Sequence, residues 1–183
     1  MTTVYQDIHK EIIELSKAGN NRAQYQLYQL YSKAMFNISY RMMNNREEAE
    51  DMLQEAFTEA FMRLGSFRYE SSFGAWIKRI VVNRCINELK RKKAELVLTD
   101  NLPENKPEAE EDNVEITNLK VKDVMRAMEL LPEGYRVIFS LYLLEGYDHS
   151  EIAQIMNITE STSKSQFSRA KQKLKELLNT TIS

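Results

Sequence analysis

The sequence predicts an all-α protein: two small helical domains joined by a flexible acidic linker. Three observations carry that prediction. Apolar residues recur at spacings of three and four along most of the 183 residues. The chain holds only 5 glycines and 3 prolines, too few for the many tight turns of an all-β fold. Charge is also segregated. Residues 78–93 carry seven basic side chains and one acidic one, and residues 94–118 carry one basic and eight acidic.

The elements follow in order. A helix is expected over 5–17, with Ile8, Ile12 and Leu15 as its apolar stripe. A second covers 21–43, with Leu27, Leu30, Tyr31, Ala34, Ile38 and Met42 in the same rhythm, and Asn44 and Asn45 break it. A third runs from Arg46 to Leu64 through Ala49, Met52, Leu53, Ala56, Phe57, Ala60 and Phe61, and Gly65 and Ser66 stop it. A loop of aromatic and small polar residues follows: Phe67, Tyr69, Ser71, Ser72, Phe73 and Gly74. The next helix covers about 74–93, with Trp76, Ile77, Ile80, Val81, Ile86 and Leu89 on its apolar side. Its basic C-terminal end suits the helix dipole.

Residues 94–118 hold two of the three prolines and keep no helical or strand period. They read as a disordered linker. A coil of this length spans about 28 Å, at roughly 5–6 Å times the square root of the residue number. Beyond it, helices are expected near 119–130, 133–144, 149–156 and 160–178, punctuated by Pro132, Gly146 and Asn157. Asp148 with Glu151 fits a capping box, and Thr159 can cap the last helix. The domains are thus 1–93 and 119–183, with the linker at 94–118.

Composition narrows the function. Net charge is −2, and the single cysteine, Cys85, excludes an intrachain disulfide framework and a cysteine zinc site. His9 and His149 are the two histidines, so no metal cluster is expected, and no cofactor. There is no glycine-rich phosphate loop and no nucleophile with an aligned base, so an enzyme is not expected. No apolar run suggests a membrane span, and the start lacks the apolar core of a signal peptide. A reducing cytoplasmic setting is expected.

Three surfaces carry chemistry. The helices 149–156 and 160–178, joined by a tight turn, form a helix-turn-helix candidate. On the second, Phe167, Ala170, Leu174, Leu177, Leu178 and Ser163 share an arc of about 100° that would pack inward. Ser161, Ser165, Ser168, Arg169 and Gln172 lie opposite, flanked by Lys164, Lys171 and Lys175. Short hydroxyls let such a helix approach a DNA groove, and cations at its edge reach phosphates. The helix 46–64 instead presents Glu47, Glu48, Asp51, Glu55 and Glu59, a surface that repels DNA and suits a basic protein. The helix 74–93 carries Lys78, Arg79, Arg84, Lys90, Arg91 and Lys92 with Asn83 and Asn87 between, beside the aromatic loop. Cations beside exposed aromatics suit unstacked single-stranded bases, with Tyr69 and Phe73 the loop candidates and Phe57, Phe61 and Trp76 assigned to the core. A solvated helix face is the plain alternative for each charged run.

These segments resemble the extracytoplasmic-function (ECF) sigma factors of bacterial RNA polymerase. AEDMLQEAF (49–57) is similar to the family's core-polymerase-docking motif. FRYESSFGAWIKRIVVNRCINELKRKK (67–93) resembles its promoter-melting and −10-reading segment, and residues 131–174 its −35-reading helix-turn-helix domain. The resemblance implies a sigma domain 2 over 1–93 and a sigma domain 4 over 119–183. It implies docking to the β′ and β subunits of core polymerase through Glu48, Asp51, Gln54 and Glu55. It assigns Ser71, Ser72, Phe73, Lys78, Arg79, Asn83, Arg84, Asn87, Lys90 and Arg91 to the −10 element, with a flipped base received around 71–74. It assigns Ser161, Thr162, Lys164, Ser165, Ser168, Arg169 and Lys171 to the −35 element of promoter DNA. The acidic linker would thread a basic polymerase channel. An anti-sigma factor is the regulatory partner the family offers, with no membrane insertion. Ser163 stands where many members have an apolar residue, and Gln166 where many have arginine. Two other readings stay open at this point: a helix-turn-helix regulator acting without polymerase, and a helical adaptor.

Overall fold

The computed structural model describes residues 7–97 and 121–182. The described residues are helical and turn, without strands, and the chain divides into two compact units, Met1–Ala94 and Glu95–Ser183. The expected linker lies largely outside the described residues.

In the first unit α1 spans Lys10–Lys17, α2 Asn21–Met43 and α3 Arg46–Arg63. A 3₁₀ turn at Leu64–Ser66 follows, and α4 spans Phe73–Val97. Asparagines set these boundaries. Asn20 caps α2 by accepting from the Ala23 N–H, and Asn45 caps α3 by accepting from the Glu48 N–H. Asn44 ends α2 in the left-handed conformation at φ 53°, which asparagine tolerates better than most side chains. One Asn-Asn pair therefore closes one helix and opens the next. Ile13, Leu27, Met42, Leu64, Phe73, Ile77, Val81 and Val82 form the fully buried centre. Each large aliphatic side chain so buried contributes about 1.5–3 kcal/mol of transfer free energy.

The register of α1 differs from expectation, and that of α2 differs at Leu30 and Ala34 while Leu27, Ile38 and Met42 are buried as expected. On α1 the anchor is Ile13, while Ile8 is 91% exposed and Leu15 is exposed. On α2, Leu27, Met35, Ile38, Ser39 and Met42 face inward, while Leu30 and Ala34 are exposed. Both segments carry competing apolar residues one position apart, and packing selects one set. Along α3 and α4 the expected apolar residues are buried, apart from Phe61 and Trp76, which are half-buried.

In the second unit α5 spans Val121–Glu129, α6 Glu133–Phe139, α7 His149–Met156 and α8 Glu160–Ile182. Helices α5, α6 and α7 all pack on α8. The expected helix over 133–144 is not one α-helix. It turns π-helical over Ser140–Leu144, where the Glu145 N–H reaches the Ser140 carbonyl. Gly146, at φ 76°, then redirects the chain. The capping box is formed in both directions: Asp148 accepts from the Glu151 N–H, and Glu151 accepts from the Asp148 N–H. Asn157 closes α7 in the left-handed conformation at φ 56°, and Thr159 caps α8 through the Thr162 N–H.

Candidate functional site

The outward face of α8 holds the expected residues. Ser161 and Lys164 are exposed, and Thr162, Ser165, Ser168, Arg169 and Lys171 are half-buried. Ser165 bends its hydroxyl back to the Ser161 and Thr162 carbonyls, and Thr162 pairs with Thr159. Lys164 lies 2.6 Å from Glu160, and Lys171 sits over the Phe167 ring. The buried Nε of Arg169 has no protein partner, so this guanidinium retains an unused donor. The inward face is closed by Phe167, Ala170, Leu174 and Leu178.

Ser163 is fully buried on that inward face. Its hydroxyl shares a 2.9 Å hydrogen bond with His149 Nδ1, and the His149 ring stacks on Tyr142 at 4.4 Å. The pair ties the start of α7 to α8 and gives the buried Ser163 hydroxyl its partner. Burial, then the neighbouring Lys164, holds the His149 pKa below its ordinary value. Sequence reading of single helices missed this pair, because its two members sit on different helices.

On the first unit the loop 67–72 and the start of α4 enclose a pocket of 490 Å³, lined by Ser66, Phe67, Arg68, Glu70, Ser71, Trp76 and Arg79. Ser71 and Ser72 are half-buried, and Ser72 Oγ caps α4 by accepting from the Ala75 N–H. Gly74 leaves room for a close approach: an added Cβ would lie 3.1 Å from the Tyr31 ring, which would have to give way by a few tenths of an ångström. From the pocket a stripe of exposed side chains runs along α4, with Arg79, Asn83, Asn87 and Lys90 at spacings of four, four and three.

Two expected loop aromatics are corrected. Phe73 is 0% exposed, packed against Tyr31, Phe67 and Trp76, and Tyr69 is 8% exposed. Neither presents a face to a base, because the loop folds its aromatic rings down onto the core. Half-buried Trp76 lines the pocket instead. Arg84 is half-buried and stands apart from the exposed stripe. It lies at the edge facing α3, with its Nε 2.6 Å from Glu59 and a second nitrogen 3.4 Å from Glu55. Lys92 likewise pairs with Glu48, and Arg91 with Glu88. Lys78 is half-buried.

The acidic helix α3 exposes Asp51, Gln54 and Glu55, with Glu48 half-buried. Gln54 borders two hollows. One, of 340 Å³, is lined by Tyr28, Ser32, Lys33, Phe36, Arg46, Glu50 and Leu53 as well. The other, of 410 Å³, includes Glu55, Thr58, Glu59, Arg63, Arg84 and Met62. Met62 is 82% exposed, an apolar contact that a charge-based reading of α3 overlooked. Cys85 is buried and its thiol is pushed up to about 12 by that burial, which makes it a core residue. Among the described residues no group of His, Cys, Asp and Glu could hold a metal ion, and no helix is long and apolar enough to cross a membrane.

The family models agree with this division. Sigma-70 region 2 matches residues 27–95, and Sigma-70 region 4 matches residues 122–174. The ECF RNA polymerase sigma factor SigM of Mycobacterium tuberculosis is 31% identical over 168 residues, covering 92% of this chain and 83% of that protein. The chain belongs to the ECF sigma factors. The SigM of Bacillus subtilis is also 31% identical, covering 84% of this chain and 94% of that one. The fold is shared with the sigma factor RpoE of Bartonella quintana, solved in complex with the anti-sigma factor NepR: TM-score 0.56, 23% identity, 85% of this chain and 96% of that one. In this ECF sigma factor, α3 and all but the last two residues of α4 fall within the region 2 match, and α7 with the part of α8 up to Leu174 within the region 4 match.

Proposed function

We propose that this ECF sigma factor divides promoter-specific initiation among three surfaces. Asp51, Gln54 and Glu55 of α3, with Glu48 at its edge and Met62 beside them, dock on a basic surface of core RNA polymerase. The family resemblance names the β′ and β subunits as partners. The pocket at 66–79 receives an unstacked base of the −10 element. Ser71 and Trp76 line it, and Arg79, Asn83, Asn87 and Lys90 track the strand. The side chains of Ser161, Ser165, Ser168 and Arg169, with Lys164 and Lys171, read the −35 duplex.

The observation that carries this reading is the pocket. It is rimmed by Arg68, Glu70 and Arg79 and opens beside an exposed stripe of cations and amides, which suits an unpaired strand and which a plain helix-turn-helix regulator does not need. Residues 1–93 and 119–183 act as the −10 and −35 domains, joined by the acidic linker. The protein works in the cytoplasm as a non-catalytic subunit, and an anti-sigma factor is its expected regulator.

Run-off transcription with sigma-free core polymerase on fragmented genomic DNA tests the reading. Discrete transcripts that depend on added protein are expected. Asp51→Ala should weaken core binding and leave −35 duplex binding intact. Duplex binding without any new transcript would replace this reading with a regulator that never docks.

A further inference from the structure

The loop that forms the base pocket is held from outside itself. Lys17 Nζ donates to the Phe67 carbonyl at 2.8 Å. The Tyr69 hydroxyl donates to Glu14 Oε1 at 2.6 Å. The Phe73 N–H donates to Asp7 Oδ2 at 2.7 Å. The start, middle and end of the loop are thus each tied to a charged side chain of α1 or the turn before it. On α1, Lys10, Glu14 and Lys17 stand at spacings of four and three, on one helix face. The ammonium groups of Lys17 and Lys10 lie 4.6 Å and 5.5 Å from the centre of the Tyr69 ring. Asp7 is only 5% exposed, and its other carboxylate oxygen accepts from the His9 N–H.

The burial pattern shows what these ties do. Phe67 and Tyr69 are buried, whereas Arg68 and Glu70 between and after them are exposed and line the pocket. Fixing Phe67 and Tyr69 on α1 turns Arg68 and Glu70 outward. Tyr69 is held at φ 59°, a left-handed conformation that a bulky side chain adopts only when its surroundings impose it. Glu14 and Lys17 supply that imposition, and the Tyr69 bond in turn favours the ionised form of Glu14. All of α1 lies before residue 27, where the region 2 match begins.

We propose that Asp7, Glu14 and Lys17 are positioning residues for −10 reading: they set the shape of the 67–72 loop and thereby its discrimination between a base and an empty position. The inference rests on the proposed role of the pocket. It assigns no contact between α1 and DNA.

The test uses holoenzyme assembled from core polymerase and the full chain. The probe is a fork-junction DNA bearing the −10 strand of a promoter mapped by run-off, either intact or abasic at one position at a time. Wild type should favour one base strongly over its abasic analogue. Asp7→Asn and Tyr69→Phe should each lower that ratio by about tenfold, the scale of one lost charge-assisted hydrogen bond. Core binding and −35 duplex binding should stay within about twofold, inside the scatter expected for distant sites. A merely structural role would lower the folded fraction and leave the ratio alone. Tyr69→Phe removes one oxygen and keeps the ring, so it decides the matter even where Asp7→Asn folds poorly. An unchanged ratio in folded, core-binding Tyr69→Phe holoenzyme overturns the proposal while the pocket reading stands. A wild type that ignores the abasic position overturns both.

Discussion

The pocket loop of the first unit and the helix-turn-helix of the second are built in opposite ways. The loop is tied by bonds that cross 50, 55 and 66 residues of sequence. The helix-turn-helix is tied by caps that cross three residues, plus one bond that crosses fourteen. A small reading head can thus be fixed locally, by its own turn chemistry, or remotely, by a helix elsewhere in the fold. Local fixing costs little chain-ordering entropy per bond. Remote fixing succeeds only once the unit's core has formed.

The largest expected effect tests the remote case. Phe73 anchors the loop end from within the core, touching Tyr31, Phe67 and Trp76. Phe73→Ala should cost about 3–5 kcal/mol, the usual range for a buried aromatic truncated to alanine. Urea denaturation followed by circular dichroism measures it. A cost near 1 kcal/mol would mean that the loop holds itself, and the contrast would collapse.

Next comes the recognition helix. Arg169→Ala should weaken −35 duplex binding by about 1–3 kcal/mol if its guanidinium reads a base edge. Lys164→Ala should weaken binding at every sequence alike and reduce the salt slope by about 0.9 if it contacts a phosphate. Fluorescence anisotropy across a salt series separates the two. Equal losses at all sequences for Arg169→Ala would move it from reading to positioning on the backbone.

This contrast also explains what the sequence could disclose. The capping box of Asp148 and Glu151, the turn at Asn157 and the Thr159 cap were legible because each is a pattern within four residues. The acidic face of α3 and the cations of α4 were legible for the same reason. The inward turn of Phe73 and Tyr69 was not. Nothing near them announces that Asp7 and Glu14 will draw them down. The pairing of Arg84 with Glu55 and Glu59 was hidden likewise, since periodicity on one helix is silent about which edge a neighbour covers. On α1, Ile12 and Ile13 offered two registers of similar strength, and the choice of Ile13 is a tertiary one.

A third expected effect tests the local case. Asp148→Ala removes one half of the capping box and should cost about 1 kcal/mol, read as a lower thermal midpoint. A loss several times larger would show that the turn depends on distant contacts as much as the loop does.

The smallest effect concerns His149, and it probes the one helix-turn-helix bond that is not strictly local. Burial and Lys164 hold its pKa below the ordinary 6.5. In the unfolded chain the ring titrates near that ordinary value, so between the two values the unfolded state binds the extra proton. Stability contributed here is therefore present above about pH 6.5 and declines as pH falls through the folded value. Protonation would place a cation against Lys164, and Nδ1 could then only donate to Ser163. Of the carboxylates that act on it, Glu160 and Asp148 partly offset that repulsion, which keeps the effect modest. Thermal melts between about pH 7.5 and 5.5 should show a midpoint that drops on acidification in wild type, with a shallower drop in His149→Gln. An equal slope in the two proteins would assign the acid sensitivity to other groups, leaving the Ser163 bond as a fixed, pH-indifferent tie between α7 and α8.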